Sequence, residues 1–252
     1  MKNYLLSGFL LFLCFYCTTK VESQIRYTPP AVTFGASLNM NFAINDAYGR
    51  VGQEDSYGMR AGKGFDVFAK FAIGERKRHR ITTSITYNKM INYDRNANFI
   101  EQVFSSNPDD VIHTNFTIIS GAVGYEYLFG APCCNKQHLG IAVTLNSISS
   151  SNDVNATLNN MSTAYRIGLQ FNAGYEFMLG SSGKYGLTVA FKYNWTNLFN
   201  PSNTYDPPGI NPTHLNDGND VKSGPGFTRW IGIGSLNIGF DFYTGVKQLI
   251  KK

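Results

Sequence analysis

The stretch YRIGLQFNAGYEFMLGSSGKYGLTVAFKYNW, residues 165–195, decides how the rest of the chain is read. Every second residue of its first half is apolar: Ile167, Leu169, Phe171, Ala173, Tyr175 and Phe177. Between them stand Arg166, Gly168, Gln170, Asn172, Gly174 and Glu176. A period of two marks a β-strand with one apolar and one polar face; in a helix the same residues would scatter around the whole circumference. After the turn 180–184 the alternation resumes, with Tyr185, Leu187, Val189, Phe191, Tyr193 and Trp195 set against Gly186, Thr188, Ala190, Lys192, Asn194 and Thr196. The stretch is a long hairpin with aromatics at both ends of its apolar face.

Its strands run to roughly ten residues or more, the length a tilted strand needs to cross a bilayer, against about five or six in an ordinary sheet. The other face mixes glycine, amides, hydroxyls and a few charges, which suits a crowded, wet lumen. Aromatics at the two ends of an apolar face match the interfacial girdles of a transmembrane barrel. The apolar side of the hairpin is therefore read as facing lipid.

The same alternation recurs on both sides of the hairpin. Val32, Phe34, Ala36, Leu38, Met40, Phe42 and Ile44 form one apolar face, and Phe65, Val67, Ala69, Phe71 and Ile73 a second. Ile81, Thr83, Ile85 and Tyr87 follow, then Ile119, Val123, Tyr125, Tyr127 and Phe129, then Leu139, Ile141, Val143 and Leu145. A last strand carries Leu236, Ile238, Phe240 and Phe242 against Asn237, Gly239 and Asp241. Eight strands result, joined by connections that alternate in length. Residues 45–63, 91–112, 147–164 and 197–229 are long and polar; 74–79, 130–138 and 180–184 are short. The predicted fold is all-β, an eight-stranded antiparallel up-and-down transmembrane barrel with both termini on one side, long loops outside and short turns in the periplasm. A soluble sandwich has no reason to sort its connections by parity.

Composition agrees. The chain has 252 residues, 25 of them glycine, with 14% aromatic and only 15% charged. No internal run is long enough for a membrane helix, which excludes nothing for a barrel. Residues 1–23 read as a secretory signal: Lys2 gives the positive start, residues 5–16 the apolar core, and Val21-Glu22-Ser23 the exit. A lipoprotein signal on Cys14 or Cys17 is the rival, but bulky residues precede both cysteines. The barrel domain is then residues 24–252. Losing Lys2, Lys20 and Glu22 takes the net charge from +5 to +4, too modest to argue for nucleic acid as a partner. Cys133 and Cys134 are neighbours, so a bond between them closes only a strained ring and cannot staple a fold.

The whole mature chain resembles the small eight-stranded outer-membrane proteins, of the OmpA transmembrane-domain and OmpX kind. The signal, the eight alternating strands and the aromatic closing strand Gly239-Phe240-Asp241-Phe242 carry the resemblance. Such proteins usually finish on an aromatic that assembly factors read, whereas here a basic tail, 244–252, runs on past Phe242. No peptidoglycan-binding domain follows the barrel, unlike full-length OmpA. The resemblance implies a Gram-negative outer membrane, with its lipid and lipopolysaccharide as surroundings and the barrel-assembly machinery as a partner in biogenesis. It names no surface ligand.

Two sets of candidate residues follow from the strand faces. The inward charges Asp66, Lys70, Glu126, Arg166, Glu176, Lys192 and Asp241 form a lumen network, with Asp66 and Arg166 near the outer mouth, Lys70 and Lys192 nearer the middle, and the carboxylates Glu126, Glu176 and Asp241 toward the periplasmic end. An eight-stranded barrel leaves room only for side chains, so these charges must pair or be hydrated. The plain reading is a salt-bridged plug; a narrow, gated conduit is the sharper one. The lipid-facing girdle is Tyr125, Tyr127, Phe129, Tyr175, Phe177, Tyr185, Tyr193, Trp195, Phe240 and Phe242.

Catalytic, metal and cofactor chemistry find little here. None of the four histidines, His79, His113, His138 and His214, is followed two residues on by the serine of a lipid A deacylase. Residues 24–30 are too short for the helix of a palmitoyl-transferring barrel. Cys133, Cys134 and His138 share one turn but lack the four spaced ligands of structural zinc. Residues 216–220 lack the terminal glutamate of a calcium loop. The basic run Arg76-Lys77-Arg78-His79-Arg80 reads as a solvated turn against lipid headgroups, and the N-x-S/T sites at Asn115, Asn155, Asn160 and Asn194 as chance. The expected function is that of a non-enzymatic barrel with a structural or surface-interaction role. A small-solute pore, a lipid-modifying enzyme and a soluble lipocalin-like barrel are its rivals.

Overall fold

The computed structural model describes residues 26–48, 59–92, 114–129, 136–152, 163–179, 183–199, 230–246 and 248–249. The expected signal, Cys133, Cys134 and residues 216–220 lie outside them. The described residues form ten strands: β1 (Arg26–Tyr27), β2 (Val32–Asn45), β3 (Met59–Ile73), β4 (His79–Asn92), β5 (Thr114–Phe129), β6 (Lys136–Asn152), β7 (Ala164–Leu179), β8 (Tyr185–Phe199), β9 (Ile231–Thr244) and β10 (Gln248–Leu249). β2 to β9 form a closed barrel in which each strand pairs antiparallel with the next and β9 returns to β2. β1 and β10 make a separate two-stranded ribbon, Arg26 opposite Leu249 and Tyr27 opposite Gln248. The first and last described strands therefore meet at the end of the barrel where the short turns lie.

The alternation read from sequence decides which way each side chain points, and the result is inside out relative to a soluble protein. Leu38 is 75% exposed and Val123 63%, while Asp66 and Glu176 are 0% exposed. Large apolar side chains form the outer wall; polar and charged ones fill the centre. Closure leaves no free edge among the eight strands, so the backbone groups of the wall are paired within it.

The strands are longer than the alternating apolar segments, at 14 to 17 residues. Several stretches expected as connection are strand instead. β3 already begins at Met59, β6 runs to Asn152 and β8 to Phe199, each extending toward the long-connection end. At the opposite end β4 starts at His79 and β6 at Lys136, so that His79, Arg80 and His138 belong to the wall rather than to turns.

The extra length has its own pattern. Phe65, Tyr87, Ile119 and Ser147 are register partners on β3, β4, β5 and β6 and point outward. One outward step toward the long connections, the row becomes Lys63, Lys89, Thr117 and Ser149. At the same height the inward side turns apolar, with Met59, Met90, Phe116, Ile118, Ile148, Ile231 and Ile233 buried in one cluster. Across β3 to β6 the wall thus reverses polarity along its axis: apolar outside and polar inside over most of its height, then polar outside and apolar inside.

Two glycines matter for close approach. A Cβ on outward Gly234 would lie 2.1 Å from the ring of Phe42. Its absence lets that ring lie over the sheet and stack on Phe191 at 5.8 Å. Inward Gly186 likewise leaves space for the buried phenol of Tyr243, which a Cβ would meet at 2.2 Å.

Candidate functional site

The lumen is the place where chemistry gathers, and it is built in tiers. In the half toward the short turns, Lys70 from β3, Arg80 from β4, Glu126 from β5, His138 from β6 and Glu176 from β7 converge, all buried. Lys70 Nζ lies 2.8 Å from Glu176 Oε1 and 3.2 Å from Glu126 Oε2. Arg80 donates through Nη1 to Glu176 Oε2 at 3.0 Å, and its Nη2 bridges Glu126 and Glu176. Two cations therefore meet two carboxylates, each carboxylate touched by both. Arg suits this position because its planar fork serves two acceptors at once. Buried charges are costly to desolvate, and such a set persists only when fully paired.

Below it, Thr188 and Tyr243 donate their hydroxyls to Asp241 Oδ2, the latter at 3.4 Å. Buried Lys136 sits with Nζ 5.2 Å from the centroid of the Tyr243 ring, the geometry of a cation–π contact. Glu126, His138 and Glu176 also bring donor atoms within 4.8 Å of one another, the spacing of a metal-ligand set. Both carboxylates are already spent on Arg80 and Lys70, whose charges balance theirs. A divalent cation would have to displace Lys70, so this trio is read as part of the ion-pair cluster.

The middle tier trades charge for amides and hydroxyls. Its one ion pair among the described residues joins Lys192 Nζ to Asp66 Oδ2 at 2.5 Å, with Thr86 donating to Asp66 Oδ1 at 2.7 Å. Asn146 Nδ2 donates to Thr144 Oγ1 at 2.9 Å and to the Thr196 carbonyl at 2.7 Å, while its Oδ1 accepts from Ser120 and Asn194. On the other side of the barrel Ser235 donates to Asn41, and Asn41 to Asn88, at 2.8 and 2.9 Å. Between the two lower tiers lies a cavity of about 40 Å³ bordered by Lys70, Gln170, Asn172, Lys192 and Asn237. That is room for a few waters, which the side-chain amide of Asn237, otherwise without a partner, would welcome. Above these layers comes the apolar cluster already described.

Of the inward charges singled out from sequence, Lys70, Glu126 and Glu176 share the lower cluster and Asp241 lies beside it. Asp66 and Lys192 pair with each other. Asp66 stands fully buried in the middle of the lumen rather than near its mouth, because β3 extends beyond it toward the long connections. Arg166 donates from Nη1 to the carbonyl of Tyr165 at 3.0 Å. The sequence reading missed Arg80, Lys136, His138 and Tyr243. Arg80 had been assigned to a solvated basic turn and His138 to the cysteine turn. The signal was present: each lies in phase with the inward residues of its own strand, Arg80 with Thr82 and Ser84, His138 with Gly140 and Ala142, Tyr243 with Asp241.

On the outer wall, Tyr125, Tyr127, Phe129, Tyr175, Phe177, Tyr185, Phe240 and Phe242 gather toward the short-turn end. Tyr127 meets Phe129 at 4.9 Å, Tyr175 meets Phe177 at 4.5 Å, and Tyr185 lies 5.7 Å from Phe240. Tyr193 and Trp195 stand toward the other end, where Trp195 packs edge-on against Trp230 at 5.1 Å. Between the two aromatic groups the exposed wall is largely aliphatic, with Leu38, Ile85, Val123, Val143 and Ile238, and carries Phe171 and Phe191 as well.

No family model and no curated protein matches the chain. Similar solved structures exist, among them three of distant sequence. Neisserial surface protein A is 15% identical, with a TM-score of 0.45, over 84% of this chain and 97% of that one. The outer membrane protein OprG from Pseudomonas aeruginosa is 9% identical, with a TM-score of 0.48, over 88% and 100%. Ail, the attachment invasion locus protein of Yersinia pestis, was solved in complex with the heparin analogue sucrose octasulfate; it is 9% identical, with a TM-score of 0.43, over 87% and 100%. What the chain itself establishes is a closed, antiparallel, eight-stranded barrel with an apolar outer wall and a polar, ion-paired centre.

Proposed function

We propose that this protein is an integral barrel of a bacterial outer membrane, without enzymatic activity, whose lumen is plugged and whose long connections carry any dealings with the exterior. One observation supports the reading above all others: an outer wall of apolar side chains, with aromatics gathered toward both ends, encloses an ion-paired interior. Water solvates such a wall poorly and lipid solvates it well. The lower charge cluster and the upper apolar cluster fill the bore at two heights, which favours a structural or surface-interaction role over conduction. Residues 1–23 then serve as the export signal and 24–252 as the barrel, inserted by the assembly machinery. The short turns face the periplasm and the long connections the medium.

The test is a pair of measurements on the full chain. Folded into vesicles, the protein should run differently on a gel before and after boiling, and it should show no discrete conductance steps in planar bilayers. Unchanged mobility together with recovery in the soluble fraction would refute membrane residence. Steps of defined conductance would replace the plugged barrel by the narrow pore, with the cavity beside Lys70 and Lys192 as part of its path.

A further inference from the structure

The reversal of polarity on the outer wall places two lysines where a soluble or a membrane protein alone would not. Lys63 and Lys89 are direct register partners on β3 and β4, both outward, Lys63 exposed and Lys89 half-buried. Like charges directly opposite one another in a sheet repel. Neither ammonium has an acidic partner among the described residues, whereas Lys70 and Lys192 inside the barrel both do. The row continues through the next two strands with the hydroxyls of Thr117 and Ser149. Directly beneath, toward the short turns, lie Phe65 and Tyr87, stacked at 5.5 Å. Two cations and two hydroxyls thus follow one line across four neighbouring strands, a span of about 14 Å at ordinary strand spacing. They stand one step above an aromatic pair, at the height where the wall stops being apolar.

We propose that this row is a binding site for the phosphorylated headgroup of a membrane lipid. The inference rests on the membrane reading above and adds a chemical preference to it. An anion between Lys63 and Lys89 turns their repulsion into attraction; the hydroxyl of Thr117 can donate to a further phosphate or sugar oxygen, and that of Ser149 can do so by leaving its long 3.5 Å bond to the Thr117 carbonyl. Phe65 and Tyr87 pack on the upper part of the acyl chains, which fixes the depth of the headgroup. A lipid meets both requirements at once, since its charge and its apolar body are separated along the same axis as the two rows. A free phosphate would meet only the first.

The experiment uses the full chain in nanodiscs of phosphatidylcholine with a minor fraction of phosphatidic acid as the phosphomonoester probe. Lipids retained on the protein are counted by native mass spectrometry. The wild type should retain phosphatidic acid preferentially, and excess inorganic phosphate should not displace it. A lysine close to a charged membrane surface contributes about 1 kcal/mol, or roughly fivefold, so K63Q and K89Q singly should each lose about that factor and the double variant about 25-fold. K63R/K89R should keep the preference, which guards against a mere folding defect. Equal retention of both lipids by the wild type, or a preference unchanged in K63Q/K89Q, would overturn the site. So would a variant that keeps its lipid but loses stability, which would make an acidic side chain of the protein's own connections the counter-ion. Failure of the wild type to insert into the discs at all would instead sink the membrane reading.

Discussion

The lumen of this barrel is closed twice, by opposite chemistry. Toward the short turns Arg80, Lys70, Glu126 and Glu176 fill it with mutually paired charge; toward the long connections Phe116, Ile118, Ile148, Ile231 and Ile233 fill it with hydrocarbon. The difference follows from what lies on the other side of the wall. Where the outside is apolar, polar residues can only go inward, and in a narrow bore they must satisfy one another. Where the outer row becomes Lys63, Lys89, Thr117 and Ser149, the inside is free to be apolar and behaves as an ordinary soluble core. One continuous set of strands therefore serves two solvents.

The comparison can be broken most severely at Arg80. Arg80→Met leaves Glu126 and Glu176 facing each other with Lys70 alone to neutralise them, and should destabilise by roughly 3–5 kcal/mol in denaturant titrations of the bilayer-folded protein. Adding Glu176→Gln should recover part of that loss; if the single variant is neutral, the lower cluster contributes nothing to holding the barrel. In the upper tier Phe116→Ala should cost about 3 kcal/mol through the cavity it leaves. That loss should be insensitive to salt. Strong salt dependence would mean that the upper core is not dry.

The outer wall supplies the next contrast. Leu169→Arg, outward at mid-height, should cost roughly 2–4 kcal/mol, and Thr117→Arg, outward above the reversal, about 0–1 kcal/mol. Equal costs would erase the boundary inferred between Ile119 and Thr117. The smallest effect concerns Lys192, whose side chain keeps 18% of its surface exposed. A double-mutant cycle of Lys192→Met with Asp66→Asn should return a coupling of about 1 kcal/mol. The same cycle with Glu176→Gln should return close to zero, because Glu176 is held by Arg80 and Lys70 instead.

How much of this was legible depended on phase. A period of two survives any twist or tilt, so residues 167–177 and 185–195 announce their faces without reference to the rest of the chain. The strand ends were harder, for a different reason at each end. Near the long connections the apolar parity switches, so Phe116, Ile118 and Ile119 read as an unphased apolar run and the alternation seems to stop. Near the short turns Arg80 closes a run of five basic residues, and local composition argues for solvent. Nothing nearby reveals that its partners are Glu126 and Glu176, which arrive from other strands. The inward residues were readable one by one; their pairing depends on register around the whole ring. Lys192 shows the gap plainly: its inward phase was readable, whereas its partner Asp66 comes from β3, a strand far from it in sequence.

The ribbon of β1 and β10 has a kinetic consequence. The seam between β2 and β9 joins the two ends of the barrel sequence, from Val32 opposite Thr244 to Asn45 opposite Ile231, and is the most non-local pairing within the barrel. Its closure carries the greatest entropic cost and so belongs to the end of folding. It is also the natural line along which the cylinder could unzip. Arg26 and Tyr27 pair with Leu249 and Gln248 just beyond that seam. The backbone N–H of Ala31 donates to the carbonyl of Thr244 at 2.9 Å between them. A strand that peels away at the seam stays tethered, at high local concentration, to the partner it has left, and reclosing outruns escape. The ribbon thus acts as a latch on the lifetime of the closed ring, more than on its equilibrium stability.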